Sequence, residues 1–530
     1  MTSHLRSIPA AASIVLALLL AVALPLAAQT QELGSISFPN SGNRAAQRPF
    51  IRGVLLLHNF EYEDAAEAFR EAQRADPGFA LAYWGEAMTR THPVWNEQDL
   101  DAARAILGRL APTPVARRAR APTARERGYL DAVEILYGEG SKPKRDTLYS
   151  AAMERLSAAY PRDLEAKAFY ALSLLGLSQA SRNIPTYMRA GAIAEDVFLA
   201  NPRHPGAAHY IIHAFDDPIH APLGLRAARA YAAIAPGADH ARHMTSHIFV
   251  ALGMWDETVA SNEAAAGPDR ASWPPGHYTA WLEYGYLQQG RLADARRLLE
   301  TTRPNTGGPR HTTRLAHLLA MRAHYLVNSM RWSDSVVTWP LDRTGTGPVP
   351  QAMDAFALGL AALRRGDRAV ADSLSTLLGE IAKAPAAADD RYGGNTQVPR
   401  ILEKSLRASM AAADGRSDEA IALVREASAL EEALPLEYGP PDVVKPTHEL
   451  LGELLLAAGR AAEAQREFTV ALGLTPRRAQ TLRGLYQAAR AAGDTAVAAQ
   501  AMTDLRAVWR RADPDTPGLA ELTATSAGSR

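Results

Sequence analysis

Apolar and polar residues follow the periodicity of amphipathic helices along most of the chain. Between about residue 46 and residue 512, helical stretches are separated by short turns, many of them rich in Gly and Pro. Alternating runs of β-branched residues bounded by turns, which would indicate strands, are nearly absent from the sequence. A chain of 530 residues is also longer than one ordinary core requires. The pattern therefore predicts an all-α protein with roughly eleven helix pairs, enough for an extended solenoid.

Two distant segments, residues 46–79 and residues 445–478, repeat one pattern of small, aromatic and proline residues. Small residues allow two helices to approach closely, the aromatic residue fills the space between them, and the proline ends the second helix. Each residue of the second segment's pattern lies 399 positions after its counterpart in the first. The matching residues are Gly53, Ala65, Phe69, Ala72 and Pro77 in the first segment, and Gly452, Ala464, Phe468, Ala471 and Pro476 in the second.

This pattern resembles the tetratricopeptide repeat (TPR), whose period is 34 residues. The resemblance implies a right-handed superhelical α-solenoid of TPR-like helix pairs, with a concave groove that binds a protein or peptide partner. We expect N-terminal and central repeats over residues 46–342 and C-terminal repeats over residues 343–512. An extended lead-in is predicted at residues 29–45, and a disordered tail at residues 513–530, where small and polar residues predominate.

The N-terminus has the features of a bacterial secretory signal. Arg6 precedes an apolar run at residues 13–28, and small residues end that run. We expect a signal peptide over residues 1–28 that is cleaved near Ala28, a periplasmic or secreted protein, and no stable membrane insertion after cleavage. The alternative is an uncleaved membrane anchor, but the run is near the lower limit for a membrane span and contains Pro25 near its end.

Composition excludes several classes of function. Lys plus Arg equals Asp plus Glu, at 57 each, and no basic stretch stands out, so nucleic acid is not an expected partner. The chain has no cysteine, which excludes disulfides, thiolate zinc sites and cysteine nucleophiles. Phosphate-binding GxxxxGK[ST] loops and GxSxG nucleophile motifs are also absent from the sequence.

Histidine is concentrated in one region of the chain. Seven of the 15 histidines lie within residues 204–247, and two pairs have the i, i+4 spacing that places side chains on one helix face. The pairs are His209 with His213 and His243 with His247, and they are related by a shift of 34 residues. The TPR resemblance implies that these positions face the concave groove from neighbouring first helices. Four imidazoles there predict a site for zinc or copper, the metals that nitrogen ligands favour in an exported protein.

Further residues are candidates for additional ligands or for partners of the ligands. They are Asp216, His220, His240, His277, His58 and His92. His58 and His92 are also 34 residues apart, and a curved solenoid could bring them towards the main cluster.

Two classes of function are consistent with the sequence. The first is an exported scaffold whose groove binds a partner, with the histidine site in the groove. The second is a zinc- or copper-dependent metalloenzyme built on the solenoid, which would need an open coordination position and a base such as Asp216. Groove histidines that only contact a peptide, or that reflect duplicated repeats, are the alternative to a metal site.

Overall fold

The computed structural model describes residues 32–177, 182–383, 397–436 and 438–521. Almost all regular structure in these ranges is helical, and we number the helices in chain order. The α-helices are α1 (Arg44–His58), α2 (Tyr62–Ala75), α3 (Ala80–Met88), α4 (Leu100–Leu110), α5 (Pro114–Arg118), α6 (Ala124–Leu136), α7 (Lys142–Ala159), α8 (Leu164–Leu175), α9 (Ile184–Ala200), α10 (Pro205–Phe215), α11 (Ala221–Ile234), α12 (Asp239–Ala251), α13 (Trp255–Ala266), α14 (His277–Gln288), α15 (Leu292–Thr302), α16 (His311–Ser329), α17 (Pro348–Arg364), α18 (Arg368–Ile381), α19 (Gln397–Ala413), α20 (Ser417–Glu432), α21 (Thr447–Ala457), α22 (Ala461–Leu474), α23 (Ala479–Ala492) and α24 (Thr495–Val508).

Short elements occupy some of the turns. Two-residue strands β1 (Thr91–His92) and β2 (Glu97–Gln98) pair antiparallel, with Thr91 opposite Gln98 and His92 opposite Glu97. The sequence pattern did not predict this hairpin. Single 3₁₀ turns are formed by Pro93–Trp95, Arg270–Ser272, Arg303–Thr306 and Ser335–Thr338.

Successive helices pack against one another along the chain, and alternate helices form a second, weaker set of contacts. This arrangement is the one expected when each helix pair buries its apolar face against the next pair. The protein is therefore an all-α helical-repeat solenoid with a TPR-like organisation, as the periodicity predicts.

The repeated glycines lie directly against the repeated aromatic residues. A Cβ atom added at Gly53 would lie 2.8 Å from the Phe69 ring, and one added at Gly452 would lie 2.8 Å from the Phe468 ring. Both rings are fully buried. Glycine is required here because the helices are too close for a side chain between them.

The solenoid folds back on itself, so that the C-terminal repeats contact the central ones. The guanidinium of Arg478 is fully buried and donates to the Glu449 carboxylate and to the Tyr284 hydroxyl, at 2.8 Å and 3.1 Å. The Trp255 indole donates to the carbonyl of Arg477 at 3.0 Å. Residues some 200 positions apart are joined in this way, so the C-terminal repeats pack against the central ones.

The two chain ends differ from one another. The predicted signal peptide lies outside the described residues, so its cleavage and the location of the protein stay predictions. None of the helices in the described ranges is long and apolar enough to cross a membrane. Part of the tail predicted to be disordered is packed: Thr516 is buried and bonds the Gly290 carbonyl, and Glu521 pairs with Arg483.

We expect Gly53→Ala to destabilise the protein by about 1–3 kcal/mol, because the new methyl group overlaps the Phe69 ring in a packed interface. The control is Gly108→Ala in α4, where nothing lies within 4 Å of the added Cβ. That change should raise stability by about 0.5–1 kcal/mol through lower backbone entropy of the unfolded chain. Urea denaturation followed by helical circular dichroism measures both, and equal effects of the two variants would contradict the close helix approach.

Candidate metal centre

The histidines of the central repeats are buried inside the solenoid. His209, His213, His243 and His247 have between 0% and 3% of their surface exposed, and His240 has 7%. The expectation that they line an open concave groove is therefore wrong. The groove is closed at this level by the turn after α1 and by the segment before α21, both of which contact the imidazoles.

The structure divides these imidazoles into two groups of three. The first histidine set is His209 and His213 from α10 with His240 from α12; the second histidine set is His243 and His247 from α12 with His277 from α14. Within each set, one side-chain nitrogen from every member lies within 4.8 Å of the others. The predicted pairs are thus near one another, but each gains a third member and they do not form one four-histidine site.

In the first histidine set, the Nδ1 atoms are engaged and the Nε2 atoms have no partner. His209 Nδ1 donates to the carbonyl of His58 at 2.8 Å. His213 Nδ1 lies 3.5 Å from the Asp216 carboxylate, and His240 Nδ1 lies 3.4 Å from the Tyr278 hydroxyl. All three Nε2 atoms are buried without a hydrogen-bond partner among the described residues. An imidazole that donates through Nδ1 presents its Nε2 lone pair as a metal ligand.

In the second histidine set, two of the three imidazoles likewise donate through Nδ1. His243 Nδ1 bonds the Asn262 side-chain oxygen at 2.6 Å, and that amide is oriented because its nitrogen donates to the Thr258 carbonyl. His247 Nδ1 donates to the Asp216 carboxylate at 2.9 Å. Both Nε2 atoms therefore carry lone pairs, yet they face each other at 3.2 Å. Two buried lone pairs at this distance repel unless a proton or a metal ion lies between them.

Burial disfavours the charged form of five of these six histidines. Loss of hydration, followed by repulsion from neighbouring imidazoles, lowers the pKa of His209, His240 and His277 well below the usual value. The same causes lower the pKa of His243, and burial lowers that of His247 to about 4 even though a carboxylate accepts from it. Protons therefore compete weakly for the side-chain nitrogens of these five histidines.

A buried polar wall supports one side of both sets. Burial alone would raise the pKa of Asp216, but Arg182 and the imidazoles lower it, so this carboxylate is ionised. Arg182 pairs with both Asp216 and Asp217. Asp217 in turn accepts from His220 Nδ1 at 2.9 Å. The sequence predicted Asp216 and His220 as candidate ligands. Both belong to this polar wall, and of the two only Asp216 contacts the histidine sets.

The remaining candidates from the sequence, His58 and His92, lie outside the two histidine sets. His58 is the last residue of α1; its ring contacts Tyr210 and Glu165, and its carbonyl holds His209. His92 lies in β1 and not at a helix end; it stacks on Tyr62, with ring centroids 3.9 Å apart.

A third cluster, formed by His58, Glu165 and His204, is largely hydrogen-bonded, and only His204 Nε2, 3.2 Å from the carboxylate, has no hydrogen bond among its imidazole nitrogens. His58 Nε2 donates to the Glu165 carboxylate at 2.8 Å and its Nδ1 accepts from the Tyr210 hydroxyl at 2.7 Å, while His204 Nδ1 caps α10 by accepting from the Ala207 amide. Burial would raise the pKa of Glu165, but the adjacent His204 and His58 lower it to about 2. With three of the four imidazole nitrogens engaged in these bonds, we assign this cluster a structural role behind His209.

Aromatic side chains cover the two histidine sets. Phe60 has a left-handed backbone conformation, with φ of 58°, which places its ring against all three members of the first set. Trp281 stacks on His247 with ring centroids 4.4 Å apart, and the Tyr438 ring contacts both that imidazole, at 5.0 Å, and Trp281, at 6.4 Å. Reasoning from sequence missed these covering residues, as well as Arg182 and Asn262, because no local spacing connects them to the histidines.

Comparisons with known proteins identify no family. No protein-family model matches the chain. No curated protein matches it. Similar solved structures include the human IFIT1 dimer with m7Gppp-AAAA, with 12% identity over 90% of this chain and 91% of that chain and a TM-score of 0.36. They also include the APC/C hetero-tetramer Cut9-Hcn1, with 11% identity, coverage of 92% and 77%, and a TM-score of 0.34. The P58(IPK) TPR domain has 14% identity, coverage of 85% and 99%, and a TM-score of 0.23. The fold assignment rests on the helix pairs described above.

Glu165→Gln should lower the free energy of unfolding at pH 7 by about 3 kcal/mol, since the ionised carboxylate is stabilised by both imidazoles. The folded pKa lies below the unfolded value of 4.5, so this contribution is present above pH 4.5 and is lost as pH falls towards 2. Urea denaturation at several pH values measures it. Glu67→Gln, on the surface, is the control and should leave the urea midpoint unchanged; a parent and a Glu165 variant with the same acid dependence would exclude the assigned role.

Proposed function

We propose that this protein is a metalloprotein that holds two transition-metal ions, one in each histidine set. The observation that carries the proposal is the pair of inward Nε2 lone pairs on His243 and His247, 3.2 Å apart and oriented by acceptors at Nδ1. The first set supports it independently with three buried Nε2 atoms that have no partner in the described part of the chain.

The chemistry of the donors limits the metal. Each set offers imidazole nitrogens and no thiolate, and the nearest carboxylate is already engaged by the Nδ1 atoms and Arg182. Imidazole donors suit zinc and copper, and three protein ligands leave a position for a further ligand. Carbonyl, amide and carboxylate acceptors at Nδ1 are the usual partners of metal-binding histidines, because they fix the tautomer and the ring orientation.

A peptide-binding role for these same histidines is less well supported. A peptide contacts side chains that reach the surface, whereas five of the six imidazoles are buried and His277 alone is half-buried. Binding of a protein or peptide elsewhere on the solenoid stays a prediction. The partly accessible His277 gives a small molecule one approach to the second set, which is the arrangement that a catalytic metal site requires.

We expect the purified protein, produced without a histidine tag, to contain about two zinc or copper ions per chain after dialysis. His240→Ala should remove the ion of the first set, and His277→Ala should remove the ion of the second, because each loses one of three ligands. Elemental mass spectrometry measures the content, and circular dichroism checks that the helices remain.

His311→Ala is the matched control, since this exposed histidine lies outside both sets and its Nδ1 bonds the Thr306 carbonyl. It should keep both ions. A folded parent that retains no ion after incubation with zinc or copper would exclude the proposed function.

The role of the polar wall can be separated from that of the ligands. Asp216→Asn should weaken metal binding by about 10–100-fold, because the acceptor that orients His213 and His247 loses its charge. Asp217→Asn likewise removes a charged partner of Arg182, but it leaves the contacts between Asp216 and the imidazoles intact. Titration against a competing chelator measures both affinities, and an equal loss in the two variants would assign Asp216 to stability alone.

A further inference from the structure

We infer that the two histidine sets form one binuclear copper centre that binds dioxygen between its ions. This inference rests on the proposed function, and it deepens it by naming the metal, its oxidation state and the ligand. Three features carry it: the spacing of the two sets, the charge of the residues around them, and the aromatic side chains that cover the second set.

The two sets are as close to each other as the rings within one set. Ring centroids within the sets are separated by 4.5 Å (His243 with His277) to 5.7 Å (His247 with His277). Across the sets, His213 and His247 are 5.6 Å apart, and His240 and His243 are 6.3 Å apart. Since metal–imidazole bonds are about 2.0–2.1 Å long, ions held by the two sets would be neighbours.

The surroundings favour ions of low charge. Imidazole ligands bring no negative charge, and the polar wall supplies two carboxylates, Asp216 and Asp217, against the one guanidinium of Arg182. Burying two divalent ions would place four positive charges in a site with little compensation, and a buried charge without compensation is costly. Two copper(I) ions bring half that charge. Neutral nitrogen ligands also suit copper, and three of them leave a coordination position open.

Dioxygen binding preserves this low charge. Each copper(I) ion gives one electron to the incoming molecule, so two copper(II) ions and one bridging peroxide dianion are formed. The double bond of dioxygen becomes a single bond, no proton is taken up, and the net charge of the ions with their ligand is unchanged. Release of dioxygen returns both electrons to copper.

Aromatic side chains cover the second set, in which His277 alone is half-buried. Trp281 is buried and contacts all three members of the second set, with ring centroids 4.4–5.2 Å away. Tyr438 covers His247, and Gly439 lies against the Trp281 ring so closely that an added Cβ would lie 2.5 Å from it. A diatomic ligand therefore requires a smaller movement of these side chains than a peptide or a sugar requires.

The test uses the full protein loaded with copper(I) without oxygen and then exposed to dioxygen. We expect uptake of one dioxygen for each pair of coppers and a new near-ultraviolet charge-transfer band from peroxide to copper(II). We expect little or no copper(II) signal in electron paramagnetic resonance, because bridged ions couple their spins. Removing dioxygen under argon should reverse the absorption change.

The variant His277→Ala separates a coupled pair from two independent sites, and His277→Asn replaces it if the alanine variant loses its helical signal. Either folded variant should keep the copper of the first set, show an ordinary copper(II) resonance after oxidation, and lack the peroxide band. His311→Ala should behave as the parent does.

The outcomes distinguish this inference from the function on which it rests. Two bound coppers that give separate resonances, or that take up no dioxygen, would overturn the binuclear centre and leave the metalloprotein intact. Retention of zinc but not copper(I) would overturn the choice of metal in the same way. A protein that binds neither metal would overturn both.

Discussion

A neutral imidazole buried away from water has one nitrogen that must donate and one that must accept, and this constraint organises the centre of the protein. The Nδ1 donors are directed outward to fixed acceptors: a backbone carbonyl for His209, an amide oxygen for His243 and a carboxylate for His247. The Nε2 lone pairs are consequently directed inward, where no protein donor among the described residues meets those of the first set. In the proposed function, a metal ion would satisfy them.

The repeat architecture explains how such a cluster can form from a simple pattern. A 34-residue shift places His209 and His243 at equivalent positions of α10 and α12, which lie side by side with α11 packed against both. The i, i+4 spacing then adds a second imidazole one turn along each helix. The repeat pattern alone does not bury the histidines. Their burial comes from the turn at Phe60 and from Tyr438, and these two residues lie nearly 400 positions apart in the chain.

The polar wall balances the cost of placing these groups in the interior. Asp216 accepts from imidazoles of both sets while it pairs with Arg182, so its charge is compensated on one side and used to orient ligands on the other. Buried polar groups specify one arrangement only when every member is satisfied. Without ions, the described residues leave the Nε2 atoms of the first set unsatisfied.

The sequence by itself determined the helical-repeat fold and the pairs His209–His213 and His243–His247, because helix periodicity, the 34-residue shift and i, i+4 spacing are local properties of the chain. It also included His240 and His277 among wider candidates, but could not place one in each set. Only tertiary structure decided that grouping, together with the burial of the site and its contact with Tyr438. The physical reason is that the partners of a side chain depend on how far the solenoid winds. That winding is the sum of small rotations between successive helix pairs, and no single repeat carries a sequence signal for it.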